Sequence, residues 1–274
     1  VSNPYHIEGP ALISFSGGRT SGYMLWHVLD AHDGKLPSDV HVGFANTGKE
    51  REETLRFVNN CATRWAVDVR WLEYRSGEER FAEVAFNSAS RCGEPFAAMI
   101  EKYSRVPNAF TRFCTGKLKV GVMTDFMKTE GFGRWTSAIG LRADEMRRVL
   151  KAVERNENRS ERWTEAMPMV EAQARLPDVA AFWDRQPFDL ELDPGEGNCD
   201  LCMVKSIARL KQSIRSRPVC AKWWIDQEQK VGGEFINGRS FSNLVREVGT
   251  QPLLPLDPEY EAEHDAECGL WCAR

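Results

Sequence analysis

The stretch Ile13-Ser14-Phe15-Ser16-Gly17-Gly18-Arg19-Thr20-Ser21-Gly22-Tyr23-Met24-Leu25 leaves this chain few ways to fold. An apolar run from Ala11 to Phe15 enters two adjacent glycines and emerges as a helix from about Thr20. The segment therefore reads as strand, tight turn and helix. Adjacent glycines let the backbone turn sharply and come close to a ligand. Ser16, Thr20 and Ser21 add hydroxyls, and the free amides of the following helix point into the turn. Orphan amides and the helix dipole together favour negative charge, so the predicted ligand is a phosphate group. Ser14, Ser16, Gly17, Gly18, Arg19, Thr20 and Ser21 are the candidate contacts. The stretch is neither a G-x-x-x-x-G-K-[ST] loop nor a G-x-G-x-x-G dinucleotide turn. A plain strand-to-helix turn of small residues is the alternative.

Downstream, Tyr23, Met24, His27, Val28 and Leu29 fall at helical spacing, and Asp33-Gly34 and Pro37 end that helix. Val40 to Ala45 reads as a strand closed by Asn46-Thr47-Gly48-Lys49-Glu50. A helix follows over Glu52 to Trp65, with Leu55, Phe57, Val58 and Cys61 facing the core, and then a third strand, Val67 to Leu72. Residues 76 to 113 read as loop. Trp135 to Gly140 is a fourth strand, Met167 to Val170 a fifth, and Asp178 to Arg185 a helix ended by Pro187. This alternation predicts an α/β fold, a doubly wound and mainly parallel sheet with helices on both faces. Residues 1–170 form the nucleotide-binding domain in this reading, and 171–274 a helical, cysteine-bearing C-terminal region. Ligands of such sheets sit beyond the carboxyl ends of the strands. That places Ser16 to Ser21, Asn46 to Glu50 and Arg142 on one rim. A guanidinium fork at Arg142 suits phosphate or sulfate oxygens. Arg147, Arg148, Lys151, Arg155, Arg159 and Arg162 continue a basic surface, interleaved beyond Arg148 with glutamates as on a solvated helix face.

Charge and cysteine usage narrow the setting. A net charge of −4 and a pI near 5.9 give no general pull toward nucleic acid or membrane. No apolar run reaches the roughly 18 residues of a membrane span, and Val1 to Pro10 lacks the pattern of a signal peptide. The expected location is the cytoplasm. Eight cysteines there point to metal or thiol chemistry rather than a disulfide framework. Cys114 stands just before a predicted helix bearing Lys117 and Lys119, a setting that favours a thiolate. Cys199-Asp200-Leu201-Cys202 is a C-x-x-C at the predicted opening of a helix. Cys61 and Cys220 read as core, and Cys92 as an isolated thiol. The acidic tail from Pro252 carries Cys268, Trp271 and Cys272 at its end.

Several of these segments resemble one family, and in its order. Ser16 to Ser21 is similar to the S-G-G-x-x-S loop of the PP-loop ATP pyrophosphatases and their relatives, the phosphoadenosine phosphosulfate (PAPS) reductases. Asn46-Thr47-Gly48 resembles that family's D-T-G turn, and Glu53-Thr54 its E-T helix start. Gly140-Leu141-Arg142 through Arg148 resembles G-x-R-x-x-E-x-x-R, and Glu267-Cys268-Gly269-Leu270 the E-C-G-L tail. Asn46 replaces the aspartate, Phe113 the first cysteine of a pair ending at Cys114, and Trp271 a histidine.

The resemblance implies an adenine nucleotide at the loop: PAPS, its 3′-hydroxyl analogue APS, or ATP with Mg. Asn46 and Gly48 would lie beside the adenosine, and Gly140, Arg142 and Arg147 at the phosphate or sulfate end. Cys268 would be the nucleophile, assisted by Arg142, with a thioredoxin-like reductant as partner. Cys114, Cys199 and Cys202 then want a fourth ligand, and Cys272 is the tail cysteine that remains. Four thiolates suit a [4Fe–4S] cluster or zinc, and the resemblance implies the cluster. A second expectation is an ATP pyrophosphatase that adenylates tRNA or DNA for sulfur transfer; a third is a non-catalytic nucleotide and cluster sensor. A homodimer stays open, and no membrane partner is expected.

Overall fold

The structure is a computed structural model describing residues 3–159, 161–192 and 196–250. The first half follows the alternation expected of it: β1 (Ala11–Ser14), α1 (Arg19–Ala31), β2 (Val40–Asn46), α2 (Glu52–Arg64) and β3 (Val69–Tyr74). Then come β4 (Phe81–Val84), α3 (Glu94–Tyr103), and a π-helical segment (Thr115–Gly121) that runs into α4 (Val122–Thr129). β5 (Trp135–Ile139), α5 (Met146–Asn158), β6 (Trp163–Ala166), α6 (Pro168–Glu171) and α7 (Leu176–Trp183) follow. Three helices close the described chain: α8 (Ile207–Ser216), α9 (Cys220–Val231) and α10 (Phe241–Thr250).

The strands form one six-stranded sheet in the order β4-β3-β2-β1-β5-β6, parallel throughout except for the edge pair β3–β4. β1 is buried along its length, as a strand covered on both faces must be. Its alternation sorts the core. Ala11 and Ile13 pack with Met24, Val28, Leu55, Phe57 and Cys61 of α1 and α2, joined by Phe182 and Trp183 of α7. Leu12 packs with Val122, Met123 and Phe126 of α4, and that cluster extends to Leu210, Trp224 and Phe241 of the last three helices. β2 to β4 are laid on one side of β1, and β5 and β6 on the other. The crevice at the carboxyl ends of β1 and β5 is the place where open α/β sheets hold ligands.

Three expectations need correction. The strand after β5 is Trp163–Ala166, and Met167-Pro168-Met169-Val170 turns instead into α6. Pro168 has no N–H for a ladder and suits a first helical turn. Residues 76 to 113 contain β4 and α3. The latter buries Phe96, Met99 and Ile100 at helical spacing, behind Gly93 and Pro95, two breakers that here mark its start. Finally, the C-x-x-C does not open a helix. Cys199 to Lys205 run through turns, and α8 begins at Ile207, where the Ser206 hydroxyl accepts a bond from Arg209 N at 3.3 Å. No helix among the described residues is long and apolar enough to cross a membrane. Cys268 and Cys272 lie outside the described residues.

Candidate functional site at the carboxyl rim

The glycine loop is closed by its own serines. Ser16 N donates to Ser21 Oγ at 3.2 Å, the two hydroxyls lie 2.8 Å apart, and Ser21 Oγ donates to the Gly18 carbonyl at 3.0 Å. Gly17 has φ +81°, and a Cβ there would stand 2.8 Å from Thr54 Cγ2. Both the conformation and the space require glycine. The turn thus rests on the E-T start of α2. Gly18 caps α1 with no side-chain bond, and no acidic residue sits in the first turn. The positive end of the helix is not neutralised from within its own first turn.

The β5 segment completes this corner. A Cβ on Gly140 would lie 3.1 Å from Ser21 Cα, so the two backbones meet here. Arg142 reaches across to the loop, its Nη1 3.4 Å from Thr20 Oγ1, while Nε donates to Asp144 at 3.0 Å. Other candidates stand apart. Ser14 is buried beneath the loop, 3.4 Å from the Ser137 hydroxyl. Arg19 turns to Asp189 in a two-pronged ion pair, both contacts 2.7 Å. Burial pulls the Asp189 pKa up, but Arg19's hydrogen bond and charge, with the Leu190 amide, hold it below the usual carboxylate value. Arg147 is exposed on α5, without an ion pair among the described residues.

Asn46 is held on both sides of its amide. Its Nδ2 donates to Glu73 Oε1 at 2.7 Å and to the Ser90 carbonyl at 2.9 Å, and its Oδ1 accepts from Gly48 N at 3.0 Å. Glu73 is fully buried and also accepts from Ser90 N, Ser90 Oγ and Arg75. The acid beside this turn is Glu73 on β3, and its neighbour is a neutral amide. Gly48, at φ +75°, lies against the Gly93 backbone with 3.0 Å of room for a Cβ.

The cysteine turn docks on the same rim. Asn198 Nδ2 donates to the Ser16 carbonyl at 2.8 Å, Arg51 N to the Asn198 carbonyl at 2.7 Å, and Asp200 N to the Lys49 carbonyl at 2.9 Å. Buried ion pairs reinforce it: Lys49–Asp200 at 2.8 Å and Arg51–Glu196 at 2.6 Å. Cys199 pairs in a short antiparallel bridge with Glu50, its Sγ 3.8 Å from Oε1. Lys205 lies close by. Burial lowers its pKa and Arg51 adds to that, against the opposing pull of Cys202 and Cys199. Cys199 and Cys202 are half-buried, as is Cys114, which packs on the same apolar cluster as Cys202. Among the described residues, no three His, Cys, Asp or Glu side chains are grouped to hold a metal ion. Cys199 and Cys202 both act on the charge of Lys205. Cys61 is buried in the core as expected, and Cys92 is exposed.

Sequence reasoning missed Glu73, Arg51, Asn198 and Asp189. The difference of Asn46 from the resembling D-T-G turn was a signal for the first, since an amide there invites a search for an acid nearby. The other three act across long stretches of chain and leave no local pattern.

These features define a class: an α/β protein whose mostly parallel sheet carries a glycine turn and a C-x-x-C turn at the same end. No family model matches the chain. It is 31% identical over 253 residues to the uncharacterized nin region protein ORF290 of Escherichia phage lambda, covering 86% of this chain and 78% of that protein. The chain belongs to the family of that phage protein. A weaker likeness, 22% over 229 residues, relates it to the uncharacterized protein MJ0066 of Methanocaldococcus jannaschii. It takes in 82% of this chain but 42% of the archaeal protein, so the chain spans less than half of that relative.

Proposed function

We propose that this protein is a sulfur-metabolism enzyme of the PAPS reductase kind. It binds an adenine nucleotide at Ser16–Ser21 and acts on that nucleotide's charged end beside a cysteine centre. The observation that carries the reading is the 2.8 Å bond from Asn198 to the Ser16 carbonyl, which fastens the C-x-x-C turn to the glycine loop. Phosphates would lie on the α1 amides and the loop hydroxyls, with Arg142, beside Thr20, turned to the phosphate or sulfate oxygens. In this reading the fold is doubly wound, and its C-terminal part is the cysteine-bearing helical region.

Cys268 as thiolate attacks the sulfate sulfur. An S–S bond forms, the S–O bond to the nucleotide phosphate breaks, and the electron pair leaves with the nucleotide. A thioredoxin-like dithiol then attacks Cys268 Sγ. Sulfite departs with the electron pair of the broken S–S bond, and the reductant closes its own disulfide, which returns Cys268 as a thiol. Cys199 and Cys202 fit half of a tetrathiolate centre, with Cys114 and Cys272 as the further ligands of the reading. A [4Fe–4S] cluster bound there would supply a polarisable charge next to the sulfate end; zinc would supply only structure.

A second reading keeps the loop and changes the substrate. The complete Ser16-Gly17-Gly18-Arg19-Thr20-Ser21 loop favours ATP with Mg, pyrophosphate release, and transfer of sulfur to an adenylated tRNA or DNA. Turnover separates the two: sulfite from PAPS or APS with thioredoxin, or pyrophosphate from ATP with added tRNA or DNA. Cys268→Ser abolishes sulfite release and leaves iron bound if the first reading holds. Sulfite release that survives this change refutes it, and nucleotide binding without any turnover makes the protein a sensor.

A further inference from the structure

Arg51 is an odd residue to bury. It is 4% exposed; among the described residues its Nη2 pairs with Glu196, while Nε and Nη1 are buried with no acceptor. Among the described residues, Lys205 Nζ has one long bond, 3.5 Å to the Cys199 carbonyl. The carboxylate of Glu50, next in the chain, is engaged by Thr47 N and Thr47 Oγ1 at 2.8–2.9 Å. Buried donors without acceptors carry the full cost of their lost water, and native proteins rarely leave them so. These donors adjoin the cysteine turn. Arg51 N is bonded to Asn198, the residue before Cys199, and Glu196 stands three residues before that cysteine. A neutral disulfide would be a poor acceptor for them. Sulfur carrying negative charge, as in a metal-bound thiolate, is a better one.

Building on the cysteine centre of the proposed function, we infer that Arg51 and Lys205 are positioning residues for it. They donate N–H groups to the sulfur held by Cys199 and Cys202 and balance its negative charge, which suits the pair to ligate a soft metal rather than close on itself.

The test uses the full chain purified anaerobically, wild type against Arg51→Leu, Arg51→Lys and Lys205→Met. Iron, zinc and labile sulfide per chain, the rate of metal loss to a chelator, and the midpoint potential are read. Removing an outer partner of a metal ligand typically costs 10–100-fold in metal affinity. Arg51→Leu and Lys205→Met should therefore lose metal at least about tenfold faster, and any iron centre should shift to a more negative potential. Arg51→Lys, which keeps the charge, should recover part of both. If Arg51→Leu does not fold, Lys205→Met carries the test alone. Folded variants with unchanged metal retention and potential would overturn the inference, leave a water as the occupant of those donors, and leave the cysteine centre standing. A wild-type chain without metal, and with Cys199 joined to Cys202 on oxidation, would overturn the centre and the inference together.

Discussion

Replacing Asn46 by Asp, the residue that the resembling D-T-G turn carries, should damage this protein. The new carboxylate would set an oxygen where Asn46 Nδ2 now donates, 2.7 Å from Glu73 Oε1 and 2.9 Å from the Ser90 carbonyl. Positions 46 and 73 are both fully buried. Two carboxylates at that distance cannot both ionise, so one keeps a proton at neutral pH. An ordinary carboxyl titrates about three units below pH 7, and each unit is worth about 1.4 kcal/mol. Holding the proton therefore costs about 4 kcal/mol, of which the new hydrogen bond between the pair returns roughly 1–2. A net loss of about 2–3 kcal/mol is a large part of the 5–15 kcal/mol that keeps a domain folded.

The sign with pH follows. The mutant pair has a folded pKa raised above its unfolded value near 4, so the deficit is absent below about pH 4 and grows as pH rises toward the raised pKa. Urea unfolding of both proteins across this range measures it. Adding Glu73→Gln to Asn46→Asp restores one donor and one acid, and should remove the pH-dependent part of the loss while the contact with the Ser90 carbonyl remains. An Asn46→Asp protein as stable as wild type at neutral pH, or equally weakened at pH 4 and 7, would refute the charge argument.

Other changes probe the same rim. Ser21→Ala removes the hydroxyl that bonds Ser16 and Gly18, and should weaken nucleotide binding roughly five- to tenfold by calorimetry, about one hydrogen bond; unchanged affinity takes the loop out of the site. Gly140→Ala places a methyl 3.1 Å from Ser21 Cα, and should cost about 1–3 kcal/mol in chemical unfolding as the start of α1 is pushed aside; an unaffected midpoint would mean that the two segments separate freely. Asp189→Asn breaks the pair with Arg19. Because Asp189 has a lowered folded pKa, its contribution is present above the ordinary carboxylate value and is lost as pH falls through the lowered one, so mutant and wild type should converge in strong acid.

Much of the rim was legible because its parts are local. Gly17 and Gly18 between an apolar strand and a helix, the Asn46-Thr47-Gly48 turn, and Gly140 with Arg142 at the end of β5 each declare a backbone shape within a few residues. Strand alternation then brings them to one edge, whatever the rest of the chain does. The C-x-x-C was legible as chemistry but not as conformation: nothing local reveals that Cys199–Lys205 is shaped by bonds to Lys49, Arg51 and Ser16 rather than by a helix of its own. Residues 76–113 failed for the opposite reason, since Gly93 and Pro95 signal breaks that here begin α3. Arg51 is the sharpest case. Within Lys49-Glu50-Arg51-Glu52-Glu53 it reads as one charge in a solvated run, yet it is buried against the cysteine turn together with Lys49 and Glu50. Its burial follows from the docking of a segment 145 residues away, and so do the donors it leaves without acceptors. A site built by such docking becomes visible only once the fold has closed over it.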